Sequence, residues 1–87
     1  MYNKNEVQRM NKYQPLMEYF ENCDRSSITL SFEEIEKIIG DSLPPSARSW
    51  PAWWANDKTH TQSAAWLDTG YKASINAAEN SVTFIKT

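Results

Sequence analysis

Cysteine, histidine and glycine are scarce in this 87-residue chain, which holds one, one and two of them. Lone Cys23 has no partner for an internal disulfide, which fits a reducing, cytoplasmic setting. One Cys and one His exclude a structural zinc site, which takes four such ligands. Long apolar runs are missing, so no membrane-spanning helix is expected. The opening "MYNKNEVQRMNKY" is polar and lacks the apolar stretch of a signal peptide. Basic charge is also thin: nine Lys and Arg stand against eleven Asp and Glu, for a net charge of -2. Residues 1–40 carry five cations against seven anions, and residues 41–87 carry four against four. That argues against broad binding to a phosphate backbone, while leaving room for a small local basic face.

Aromatics are what the chain has in quantity. Phe, Trp and Tyr make up 13% of it, and all four tryptophans fall in "WPAWWANDKTHTQSAAW", from Trp50 to Trp66. A domain this small buries only about 60% of the surface its unfolded chain exposes, so each large ring matters to the core.

Residues 1–12 read as a flexible polar arm and 13–87 as a single α+β domain. After Pro15, Leu16, Tyr19, Phe20 and Cys23 share one face, which predicts a first helix over 14–24. In "SSITLS", Ile28 and Leu30 alternate with polar residues, as in a half-buried strand. Ser31 and Glu34 form a capping box that opens a second helix, with Phe32, Ile35, Ile38 and Ile39 inward and Gly40 as its end. Residues 41–59, broken by Pro44, Pro45 and Pro51, read as a long loop, with a short turn capped by Ser46 through Arg48 and Asn56-Asp57 as a turn. Thr59 and Gln62 make a weaker capping-box pattern, which predicts a third helix over 60–69 ended by Gly70. Tyr71, Ala73 and Ile75, then Val82 and Phe84, alternate around Asn76–Asn80 as a terminal hairpin. The order helix, strand, helix, long loop, helix, hairpin is winged-helix-like. Strand 1 would pair with the hairpin. The loop between the second and third helices is about five times the usual turn of a helix-turn-helix.

The segments "KYQPLMEYF", "LSFEEIEKIIG", "LPPSAR", "WWANDKTHTQSAAWL" and the closing "TG-Y…VTFIK" resemble an uncharacterised bacterial and phage domain family, from Lys12 to Lys86. "WWANDKTHTQSAAWL" is the most specific stretch. Tyr71 stands where the family pattern has a second aromatic, usually tryptophan. The resemblance implies a shared fold. It also implies a setting in which such domains stand alone or are fused to others, including nuclease-like ones. It brings no catalytic residue with it.

The chemistry-bearing groups are few. Asn56, Asp57 and His60 in "NDKTH" contain a base and an acid, but a metal-dependent nuclease would need further ligands that the chain lacks. The entry turn of a helix explains them more simply. Cys23 lies on an apolar helix face near Glu21 and Asp24, which suits a structural thiol rather than a nucleophile. Glu33, Glu34 and Glu36 read as a solvated face. Trp66 is expected in the core. Trp53 and Trp54 are adjacent and cannot face the same way, so one is expected inside and the other partly outside. Trp50, held extended by Pro51, is expected to cover the second helix.

The third helix is the counterpart of a recognition helix, with Lys58, Thr59, His60, Thr61, Gln62 and Ser63 at its start. Gln62 can pair with adenine, and Arg48, Lys58, Lys72 and Lys86 can reach phosphates. The expected function is a small non-catalytic recognition module that takes no cofactor and no metal. It would bind nucleic acid through Arg48, Trp53, Trp54, Lys58, His60, Thr61, Gln62 and Lys72. The alternative is a protein-interaction module, such as a phage-encoded inhibitor, which the acidic second helix and exposed aromatics would fit. A positive face at Arg48, Lys58, Lys72 and Lys86 separates the first from the second.

Overall fold

The structure, a computed structural model, describes residues 12–87. The expected polar arm lies, apart from Lys12, outside the described residues.

Helix α1 spans Gln14–Glu21, with Pro15 in its first turn, and buries Leu16 and Phe20. It ends three residues earlier than its apolar stripe suggests. Asn22 stops it: both its side-chain Nδ2 (2.8 Å) and its backbone N–H (3.1 Å) donate to the Glu18 carbonyl. Asparagine competes in this way with helix continuation. Strand β1, Ser27–Ser31, buries Ile28 and Leu30. Helix α2, Phe32–Ile39, follows without a linker. The capping box is formed: the Glu34 N–H donates to Ser31 Oγ at 3.0 Å, and the Ser31 N–H to Glu34 Oε1 at 2.8 Å. Gly40, with φ of 73°, closes the helix in the left-handed conformation that glycine adopts without a Cβ penalty.

The stretch expected as one long loop contains two short ordered pieces. Helix α3 spans Pro45–Ser49, and a 3₁₀ turn spans Pro51–Trp54. Each has a proline in its first turn, where the missing N–H costs nothing. Pro51 also prevents the two from merging. The third long helix is not formed. Helix α4 is a single turn, Ala64–Leu67. The Thr59–Gln62 capping box is absent, because the side chain of Gln62 donates instead to the Trp53 carbonyl at 3.0 Å. Thr59 turns its N–H to Asp57 Oδ1 at 3.0 Å. Backbone bonds from His60 to Asp57, Ser63 to His60 and Ala65 to Gln62 skip three residues, so this segment is a run of tight turns.

Strands β2 (Tyr71–Asn76) and β3 (Ser81–Lys86) form the hairpin, joined by a 3₁₀ turn over Ala77–Glu79 and Asn80 at φ of 52°. The sheet is antiparallel in the order β1-β3-β2, with Ile28 opposite Phe84 and Ala73 also opposite Phe84. Strand 1 therefore pairs with the terminal hairpin, and the fold is α+β. The outer face carries Ser, Thr, Asn, Lys72 and Ile85; the inner face packs against the helices.

Rings run through the core without a break. Centroid distances are 5.8 Å for Phe32–Trp54, 5.7 Å for Trp54–Trp66, 5.6 Å for Trp66–Phe84, 4.7 Å for Phe84–Phe20 and 5.0 Å for Phe20–Tyr71. Such pairs contribute about 0.5–1.5 kcal/mol each beyond their burial. The chain thus fills a small core with few, large side chains. Among the described residues no helix is long and apolar enough to cross a membrane.

Candidate recognition surface

The tryptophan stretch folds into an inner and an outer part. Trp66 is fully buried and Trp54 nearly so. The Trp54 indole donates to the Ala47 carbonyl at 2.7 Å, which ties the 3₁₀ turn to α3. Trp53 is half-buried, edge-on to Tyr13 at 5.8 Å. The neighbouring pair thus divides between inside and outside as expected. Trp50 does not cover α2: it is 61% exposed. Its backbone N–H closes α3 on the Ser46 carbonyl, while Pro51 starts the next turn, so the ring is left at a corner between the two.

Asn56 joins this stretch to the sheet. Its Oδ1 accepts from the Trp66 indole at 2.9 Å and from the Ala73 N–H at 2.8 Å, while its Nδ2 donates to the Ala73 carbonyl at 3.1 Å. A primary amide offers both acceptor and donor at the spacing of a peptide group. Asn56 therefore acts as one residue of an extra strand at the β2 edge. Ser63 Oγ donates to the Ala55 carbonyl at 2.8 Å and Gln62 to Trp53, so three side chains hold the segment around Asn56 from both ends. Nothing in the spacing marks Asn56 as a hub; its only sequence signal is a turn-forming asparagine between tryptophans.

The clamp ties Asn56 to β2, and Asp57–Thr61 follow it along the chain. All five residues are exposed. Asp57 spends its carboxylate on the turn, and the Thr59 N–H, with further help from the Thr59 hydroxyl and His60, holds it below the usual carboxylate range. Among the described residues Asp57 and His60 share only a backbone bond, and no hydrogen bond joins their side chains. Lys58 reaches Asp68 at 3.8 Å across solvent, both side chains being at least half exposed. Lys72, next to the clamped Ala73, points to the outer face opposite Ile85 and has no ion pair among the described residues.

The remaining expected contacts are not part of this surface. Arg48 donates to Glu36 Oε2 at 2.7 Å and lies 5.4 Å over the Phe32 ring. Glu36 also accepts from the Leu43 N–H at 2.8 Å, and that bond first, then Arg48, lowers its pKa. The Arg48–Glu36 pair closes the loop onto α2. Gln62 is 9% exposed and Trp54 2%, so neither can meet a ligand without moving. Lys86 sits 5.6 Å over the Tyr71 ring. Of the eight expected contact residues, Lys58, His60, Thr61 and Lys72 are open, and each lies within five residues of Asn56 or Ala73 in the chain. Trp53 is half open, and Arg48, Trp54 and Gln62 are engaged in the fold. Among the described residues no group of three His, Cys, Asp or Glu could hold a metal ion.

These features define a small α+β domain: helices on one face of a three-stranded antiparallel sheet, with an asparagine-clamped polar turn at its edge. Residues 13–87 match the model of the domain of unknown function DUF7662, and the chain belongs to that family. No curated protein and no solved structure matches it.

Proposed function

We propose that this domain is a non-catalytic recognition module that binds nucleic acid through Lys58, His60 and Thr61 on the clamped turn and Lys72 on β2. The observation that carries the reading is the Asn56 clamp, which fixes the root of an exposed, donor-bearing turn to Ala73, the neighbour of exposed Lys72. The element order and the β1-β3-β2 sheet are in keeping with a winged-helix arrangement, in which the entry to the third helix meets DNA. Here α4 has four residues, about 6 Å at 1.5 Å per residue, too short to lie along a major groove. Contact by the turn therefore replaces contact by a helix. The Lys58–Asp68 pair is exposed and worth at most about 1 kcal/mol, so a phosphate can displace it. With two cations engaged, binding is weak and its salt dependence has a slope of about -2 in log K against log salt. A salt titration against single- and double-stranded DNA and RNA, read by tryptophan fluorescence, tests this. No binding to any of them at low salt overturns it. The bacterial or phage setting, in defence, restriction or regulation inside the cytoplasm, follows the family resemblance and the lone cysteine.

One observation favours a second reading. Arg48 is locked on Glu36, so the full positive face does not form, while Trp50 stands out beside exposed Pro51 and Ala52. An exposed tryptophan in a chain of net charge -2 suits a protein partner. Loss of partner binding in Trp50→Ala, with nucleic-acid binding absent, is the outcome that selects this reading.

A further inference from the structure

The two edges of the sheet differ. In β1, Ser26 accepts from Lys86 and Phe32 donates to Asn80, so even-numbered residues bond toward β3. Ser27, Thr29 and Ser31 then turn their backbone groups to the outer edge. The close Oγ1···Oγ1 approach of Thr29 and Thr83, 2.9 Å, is that of a non-hydrogen-bonded pair. Ser31 is already used: its N–H goes to Glu34, and its carbonyl lies at the head of α2. The N–H and C=O of Ser27 and Thr29 have no partner among the described residues. At the opposite edge, both outward groups of Ala73 are filled by Asn56.

We infer that the open β1 edge pairs with the same edge of a second copy, antiparallel about a two-fold axis through Ile28. In that register Ser27 of each copy faces Thr29 of the other. The four unpartnered groups on each edge are all consumed, in four interchain hydrogen bonds. Shifting the axis to Thr29 would bring in Ser31, whose N–H is spent, and would satisfy only two. Ile28 meets Ile28 on the covered face, and Ser27 meets Thr29 on the outer face, where hydroxyl pairs are favourable. Charge agrees. Arg25, exposed and without an ion pair among the described residues, falls opposite Ser31 of the second copy, beside the carboxylates of its Glu33 and Glu34. The dimer doubles the recognition surface, yet the pairing stands whatever the ligand is.

Such a small interface gives a weak dimer, with Kd on the order of 0.1 mM. Sedimentation equilibrium of the whole chain should show it. Thr29→Pro removes an outward N–H at an edge position that tolerates proline. It should weaken association by at least about tenfold while leaving the circular dichroism unchanged. Amide exchange needs no variant: the Ser27 and Thr29 amides should become protected as concentration rises through Kd. A chain that stays monomeric at about ten times that concentration overturns the inference. So does a dimer in which these amides still exchange freely, or one that survives in folded Thr29→Pro. If Thr29→Pro does not fold, the exchange measurement decides alone.

Discussion

Two parts of one tryptophan-rich stretch have opposite fates. Trp54 and Trp66 lie inside, their indole N–H groups bonded to Ala47 and Asn56. Trp50 lies outside, on a proline corner. The residue type is the same; the difference is whether a polar partner waits for the indole N–H when the ring is buried. A buried tryptophan needs such a partner, and the chain supplies Asn56 and the Ala47 carbonyl at those two positions. The inner half therefore builds the fold, and the outer half, like the turn beyond Asn56, is left in water.

Truncating the inner half should have the largest effect. Trp66→Ala removes a buried ring that touches Trp54 and Phe84, and should cost about 3–5 kcal/mol in urea denaturation. A nearly unchanged variant would place Trp66 outside the core. Asn56→Ala comes next, at about 2–3 kcal/mol, because it leaves the Trp66 indole and the outward groups of Ala73 without partners. It should also speed exchange of the Ala73 amide. Asn56→Asp, which keeps the acceptor and loses the donor, should fall between the parent and Asn56→Ala. If both cost nothing, the clamp does not hold the turn.

Acid should act on the loop that faces α2. The Glu36 pKa is lowered by the Leu43 N–H and Arg48, and Asp57 by Thr59. Groups lowered on folding stabilise the protein above their unfolded pKa, and that stability is lost as pH falls through their folded pKa. Thermal melts should therefore lose stability as pH falls below the usual carboxylate range, and Glu36→Gln should flatten that loss. An equal slope in the variant would mean that Glu36 has no such role. Smallest of all, Trp50→Ala should change stability by no more than about 0.5 kcal/mol, since the ring is mostly in water. A larger loss would erase the distinction between the two halves.

Local signals in the sequence predicted the local parts of this structure. The Ser31–Glu34 box, the Gly40 end of α2, the alternation of Ile28 and Leu30, and the terminal hairpin all follow from neighbours a few residues apart. The third helix was misread for the same reason. Gln62 three residues after Thr59 looks like a cap, but its amide is drawn to the Trp53 carbonyl, nine residues away in sequence. Arg48 reads as a free cation until Glu36, twelve residues earlier, is brought against it. Asn56 carries only a turn signal, because its three bonds reach Trp66 and Ala73. Long-range polar pairing decided each of these, and periodicity does not encode it.

The most direct test of the proposed contact surface is an NMR titration of the labelled chain with a short oligonucleotide at low salt. The amides of Lys58, His60, Thr61 and Lys72 should shift, the shifts should fade as salt is added, and Trp50 and Ala52 should not move. Shifts confined to Trp50–Ala52, or none at any residue, would contradict that surface.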